Sequence, residues 1–476
     1  MERRGSLLTG VLAFAAMIVT VMQTQAVPIL GLIATKLQVS TTSVSWVTTA
    51  TLLSAAVSTP LLGRIGDLYG KKPTLLAVLA VAAAGSVVSA LADSLSVLLV
   101  GRVLQGVATA IFPLALAVLR EEIPAQRLHH AMAIVSGTLG FGGGLGLVST
   151  GLLTKGADPD YHIVFWFTAA LSVLALAAAA VVVPATGKRH PGSVDLPGAF
   201  TLGAFLILLL LPISQGHEWG WTSARTIACF AGAIVAAALW VLTERLVRTP
   251  LVDLGMFTHR PVLFTNLSGM FIGFAMFMQF MGVSYLAQMP SRIAGYGFGA
   301  SILRASVEYL LPATLSSMLA APIGGILVGR LGGRLTLALS GAVGTAGFGW
   351  LALSHDATAS VIAASVVIGI AISFAYAAMP ALIAAGVPHH QSGIANGINS
   401  ISRTVGSSLA SAIITTLLTA KLLPHLPLPQ ESQFTVAFWV GAAACAATIL
   451  AALFGLRPEP HSTTAESEEK ALTSVG

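Results

Sequence analysis

Charge is what this chain has least of. Asp, Glu, Lys and Arg make up 9% of its 476 residues, against roughly 25% in a soluble globular protein. A soluble fold of this length cannot cover its surface with so few, so the chain reads as an integral membrane protein. Cysteine is nearly missing as well. Cys229 and Cys445 both lie in apolar runs, which excludes a disulfide framework and any cysteine metal spacing. There is no GxxxxGK[ST] loop, which disfavours direct ATP drive, and no HExxH. His129-His130 and His389-His390 are adjacent pairs whose side chains point apart on a regular element, so neither a metal nor a cofactor is expected. The net charge of +6 comes from bases scattered singly between apolar runs. That is membrane-flanking charge and no nucleic-acid patch.

Apolar length is what the chain has instead: 55% hydrophobic residues and a mean hydropathy of +0.87. A bilayer-spanning helix needs about 20 mostly apolar residues, and such runs fall at about 7–33, 43–64, 74–92, 95–119, 131–153, 162–184 and 196–214. Seven more fall at about 224–243, 262–287, 307–329, 335–354, 358–382, 394–420 and 433–455. The expectation is fourteen membrane helices, with twelve plus two interfacial segments as the competing count. The first run is too long for the h-region of a signal peptide, about 7–15 residues, and is read as a retained span.

Two Pro/Gly-rich, basic breaks, at 184–198 and 243–261, divide the chain. The expected architecture is all-α: a six-helix bundle at 1–186, a two-helix insertion at 187–258, a second six-helix bundle at 259–457 and a disordered tail at 458–476. Among the 24 Lys and Arg residues, Lys36, Lys155, Arg225, Arg292, Arg304 and Lys421 fall on one side of these spans, and Arg102 and Arg403 fall inside them. All the others lie on the opposite side. The positive-inside rule then places both termini in the cytoplasm of a cell inner (plasma) membrane protein.

The stretch LLGRIGDLYGKKPTLL at 61–76 concentrates charge on one turn. Gly63, Gly66 and Gly70 suit tight backbone geometry and close helix approach. Asp67 suits the positive end of a neighbouring helix, and Lys71 and Lys72 mark the cytoplasmic face. The turn reads as half of a breakable conformational latch, or else as a plain helix stop at the membrane surface. A degenerate copy, GGILVGRLGGRL, follows the second span of the last six, aligning Gly63 with Gly325, Asp67 with Gly329 and Gly70 with Gly332. Repeated halves are a common transporter plan.

Gly63-x-Ile65-Gly66-Asp67-x-x-Gly70-Lys71-Lys72 resembles the loop signature of the major facilitator superfamily. Arg102-Val-Leu-Gln105-Gly106 resembles the fourth-span signature of its drug:proton antiporters. Fourteen spans, TPLVDLGMFTHR before the ninth and Asn399-x-x-x-Arg403 in the thirteenth resemble the fourteen-helix exporters of multidrug and antibiotic type. The resemblance implies alternating access, export of amphipathic small molecules and proton coupling, and it implicates Arg102 in proton exchange. Three features depart from the family. Val19 stands where span one usually carries an acid. In GLVSTG at 146–151, Leu147 and Thr150 replace the usual proline and glycine. The second loop copy has lost its acid.

Ionisable and polar residues inside spans are the candidate site. Arg102 and Arg403 are the charged ones. Gln23, Gln25, Gln105, Asn266, Gln279, Asn396 and Asn399 are cavity candidates, each equally able to act as interhelical glue. Phe274 and its Met- and Phe-rich neighbours at 269–285 suit a promiscuous apolar pocket or a lipid-facing stripe. Gly140, Gly144, Gly146 and Gly151 suit close packing in span five. With no acid well inside the first-half spans, Glu308 is the candidate outer titrating site with Arg102 modulating it; Asp67, or no proton coupling, are the alternatives. The functional expectation is a monomeric secondary exporter whose partners are an amphipathic small molecule, protons and the bilayer. An importer or facilitator of the same fold, or a non-transporting membrane sensor, would fit the same residues. An enzyme is not expected.

Overall fold

The computed structural model describes residues 2–156, 158–185, 195–247, 250, 254–255, 259–386, 392–424 and 426–456. Among them the chain is helical throughout and forms no strand beyond an isolated bridge between Leu422 and Pro429. The helices are α1 (Glu2–Thr24), α2 (Leu30–Leu37), α3 (Thr41–Tyr69), α4 (Lys71–Ala90), α5 (Leu95–Gly106), α6 (Ile111–Glu122), α7 (Ala125–Leu153) and α8 (His162–Val182). Next come α9 (Leu196–Trp219), α10 (Ala224–Leu246), α11 (Arg260–Gln288), α12 (Ser291–Ala294) and α13 (Ile302–Arg304). The last are α14 (Leu311–Leu353), α15 (Thr358–Gly386), α16 (Ser392–Ala420) and α17 (Glu431–Leu450).

Short polar residues start these helices where the apolar runs begin. The Ser40, Ser94, Asp195 and Ser223 side chains accept backbone N–H groups at the first turns of α3, α5, α9 and α10, satisfying donors with no partner inside the helix. Gly70 (φ 106°) separates α3 from α4, and its aligned counterpart Gly332 (φ 79°) interrupts α14. Both adopt a backbone that residues with a Cβ avoid. The two copies of the loop signature therefore bend the chain at the same aligned position.

Twelve helices among the described residues are long and apolar enough to cross a membrane, where fourteen spans were expected. The difference arises at two places. One helical stretch, Ile302–Leu353, runs for 52 residues, far beyond the ~20 that cross a bilayer, and holds the Gly332 break. In α7 (Ala125–Leu153) most side chains from 125 to 140 fall outside the described residues, so only the apolar stretch Phe141–Leu153 is covered.

Two bundles meet across a seam. In the first, α1 packs on α7 and α8, and α4 packs on α5 and α8; in the second, α14 packs on α15 and α17, and α11 on α16. Contacts of α3 with α16 and of α7 with α14 join them. On the base-poor face one apolar core runs through both bundles, bringing Ala26, Leu30 and Val44 together with Phe274, Met278 and Met281. Toward the basic face Leu12, Leu79, Leu114 and Leu119 belong to one core and Leu337, Met379 and Leu382 to another. A smaller cluster built on α9 bridges the bundles, gathering Leu53 and Ala56 of α3 with Val262, Ile383 and Ile398. Helix α9 lies along the seam against both α3 and α16, and α10 packs on α9.

A second correspondence marks the base-poor face. In the first bundle the His162 ring, at the start of α8, lies 2.5 Å from Asp160 and 3.6 Å from Asp93 in the α4–α5 turn. Those bonds to His162 outweigh partial burial and hold the Asp160 carboxyl below its usual range. In the second bundle His355, in the α14–α15 turn, lies 3.5 Å from Glu431 at the start of α17. Each pair ties the turn between third and fourth spans to the head of the sixth, with base and acid exchanged.

Candidate transport pathway

The loop signature sits at the basic end of α3. The Lys71 ammonium pairs with Glu121 of α6, and Lys72 Nζ donates to the Ala180 carbonyl of α8 at 2.9 Å. Both lysines thus fasten the turn to its own bundle. Gly66 packs on α6, where an added Cβ would lie 2.7 Å from Leu114 Cδ2. Gly63 differs from the expectation of close approach: a Cβ there would meet nothing within 4 Å, and the same holds at the aligned Gly325. Asp67 falls in α3, with its side chain outside the described residues.

Arg102 is buried where α5 passes α3 and α1. Its Nε donates to the Val47 carbonyl at 2.9 Å, and Nη1 donates to the Met22 carbonyl at 3.1 Å and to Gln105 Oε1 at 2.6 Å. Gln105 in turn donates to Ser86 Oγ at 2.9 Å. The guanidinium lies 5.9 Å from the Phe165 ring centroid. Four helices therefore hold the charge in place, with carbonyl oxygens for partners. Arg102 also borders a narrow cleft with Gln23, Thr48, Thr51, Leu52 and, from the second bundle, Phe277.

Arg403 sits well inside α16. Its Nη1 donates to Asn399 Oδ1 at 2.5 Å, and the guanidinium carbon lies 5.0 Å from the Tyr376 ring centroid on α15. Asn399 Nδ2 donates to the Thr265 carbonyl at 3.1 Å and to Asn266 Oδ1 at 3.2 Å, anchoring α16 to α11. The two helices touch backbone to backbone: a Cβ at Gly273 or Gly406 would collide with the carbonyl of Arg403 or Met270. Tyr376 is 38% exposed, and its hydroxyl donates to Met276 Sδ at 3.4 Å. Arg403 is partly buried, and a charge at this depth is costly against hydrocarbon.

Other expected cavity residues go elsewhere. Gln25 is fully buried inside the first bundle, its Nε2 donating to Thr168 at 3.4 Å. Gln279 and Phe274 are buried in α11, and Phe274, with Met278 and Met281, builds the shared core of the base-poor face. The Met/Phe-rich stretch therefore closes that face; Phe277 alone of it borders the cleft. Glu308 receives hydrogen bonds from Arg304 one turn earlier, on a partly exposed helix end, so it stands apart from both arginines. Gly144 and Gly151 face Leu311 and Leu303 across the seam, and Gly146 faces Thr24 of α1. The surroundings of Gly140 and the side chains of Asn396, His129 and His130 fall outside the described residues, as do residues 387–391. Hydroxyls close the seam itself: Thr48 and Thr49 of α3 each lie 2.9 Å from Ser411 Oγ of α16. Sequence reasoning missed these, along with Tyr376 and Met276, because hydroxyls, aromatics and methionines are common in every span.

The sequence profile of the Major Facilitator Superfamily matches residues 12–411 and again 313–475. The chain belongs to the major facilitator superfamily. Within it, the chain is 29% identical over 396 residues to the tetracenomycin C resistance and export protein of Streptomyces glaucescens, covering 81% of this chain and 71% of that one. It is 26% identical over 383 residues to the cephamycin export protein CmcT of Amycolatopsis lactamdurans, covering 79% and 77% respectively. The crystal structure of a D-xylose-proton symporter superposes with a TM-score of 0.66 at 14% identity, over 96% of this chain and 98% of that chain. That last likeness speaks for the superfamily fold alone.

Proposed function

We propose that this multi-pass membrane protein is a secondary active exporter of amphipathic small molecules working by alternating access. The observation that carries the reading is the unequal joining of the bundles at their two faces. They share one continuous core on the base-poor face, whereas toward the basic face each keeps a core of its own, bridged only by the cluster on α9, and Gly63 and Gly325 look onto open space. With the basic face in the cytoplasm, this is the inward-facing member of a two-state cycle. Counting α7 as a crossing, and the 52-residue stretch as two, gives fourteen spans with both termini cytoplasmic. The relatives that carry export in their names supply the direction.

Everted vesicles from cells making the chain test this. Uptake of amphipathic dyes into the vesicles, with lower dye content in intact cells of a pump-deficient host, is the expected result. Higher dye content in intact cells would instead make the chain an importer. No change in either would leave a sensor.

A further inference from the structure

The charges at membrane depth have one sign. Arg102 lies about two turns into the span Leu95–Glu122 and Arg403 about three turns into α16, and none of the 18 acids in the sequence lies as deep. Asp67, Glu121 and Glu244 stand near the basic ends of helices, and Glu308 pairs with Arg304 at the opposite end. Among the described residues no carboxylate pairs with Arg102 or Arg403; their partners are carbonyl and amide oxygens and aromatic rings. Arginine keeps its proton, so neither can exchange one by itself.

Positive charge at membrane depth with no carboxylate beside it is a poor host for the cations that many amphipathic drugs are. It is a good host for an anion where a ligand can reach it, as at the partly buried Arg403, because the ligand supplies the missing counter-charge. The planar guanidinium of Arg403 is fixed on one side by Asn399 and stacked near Tyr376, with Met276 beyond. That geometry fits a carboxylate or phenolate carried on a flat ring system.

We infer that the exported species is an aromatic organic anion, met by Arg403, and that its movement is driven by the inside-negative membrane potential. This rests on the exporter reading above. An anion leaving a negative interior moves down the electrical gradient, which sustains a concentration ratio of about 50-fold per 100 mV for one charge. No titrating carboxylate is then needed in the protein, and the valine at position 19 ceases to be a defect.

The test uses purified protein in proteoliposomes and two dyes with one xanthene core, anionic carboxyfluorescein and cationic rhodamine 123. A potassium diffusion potential is imposed with valinomycin at equal pH on both sides. Carboxyfluorescein should move toward the positive side at least ten times faster than in empty liposomes, and rhodamine 123 should not exceed its leak. Arg403→Gln should remove most of that flux and Arg403→Lys should keep a substantial part, with thermal melting checking that both are folded. Preferential movement of rhodamine 123 would overturn the anion and leave the exporter standing. Carboxyfluorescein flux that answers to a pH gradient and ignores the potential would overturn the driving force. If neither dye moves while cells making the chain still exclude other amphiphiles, the inference fails alone; if the cells exclude nothing, the exporter reading fails first.

Discussion

Gly63 and Gly406 put the same residue type to opposite uses. At Gly406 the missing Cβ lets α16 rest on the Met270 carbonyl of α11, and that contact sets the height at which Arg403 meets Tyr376. At Gly63 the space beside the helix is open. A small residue there has no work to do in this state, so its use lies in the other one, when the basic face closes. Gly406→Ala should therefore lower the melting temperature of purified protein, since overpacking costs typically 1–3 kcal/mol. Gly63→Leu should leave the melting curve near wild type and cut dye export several-fold. Wild-type export by Gly63→Leu would show that this face meets nothing during the cycle.

Helix α9 is the element that lies between the two bundles. Ala199, Leu202, Leu206 and Leu210 recur at helical spacing and are buried against α3 and α16, and Thr416 Oγ1 donates to the Ile213 carbonyl at 3.3 Å. Its partner α10 turns Ile227, Ile234, Val235 and Leu239 outward. Lipid is as apolar as leucine, so α9 is held by packing and not by escape from water. Leu206→Ala should lower the melting temperature, by a loss of packing contacts on the order of 1–2 kcal/mol, while Ile234→Ala should leave it unchanged. Equal shifts would mean that α9 is as loosely seated as α10. The existence of these helices was legible in the sequence because twenty apolar residues have few other uses. Their neighbours were not legible: nothing in the run at 196–214 says that one face meets two bundles. The same limit applied at the site. Arg102, Gln105, Asn399 and Arg403 stood out because polar groups are rare in spans, yet Gln25 and Gln279 stood out equally and are buried inside the packing. An amide in a sequence does not say which way its helix turns it. His355 and Glu431 were passed over because the fold joins them across two helices.

At the scale of the molecule, the seam on the base-poor face decides which way the protein opens. It is closed by an apolar core and by the hydroxyls of Thr48, Thr49 and Ser411, and an outward-facing state must part them. A hydroxyl pair adds only about 0.6 kcal/mol on average inside a membrane protein, so these contacts can break and re-form in a working cycle whose two states differ by a few kcal/mol. A covalent bond cannot. The Thr49 and Ser411 oxygens lie 2.9 Å apart, close enough for cysteines at the two positions to approach disulfide geometry. In a background of Cys229→Ser and Cys445→Ser, the double variant Thr49→Cys with Ser411→Cys should export dye when reduced. Oxidation should stop it, and reductant should restore it. Either single cysteine variant should export under both conditions. Undiminished export by the oxidised, fully cross-linked double variant would mean that this seam stays shut throughout transport, and the pathway would then have to run elsewhere than between the bundles.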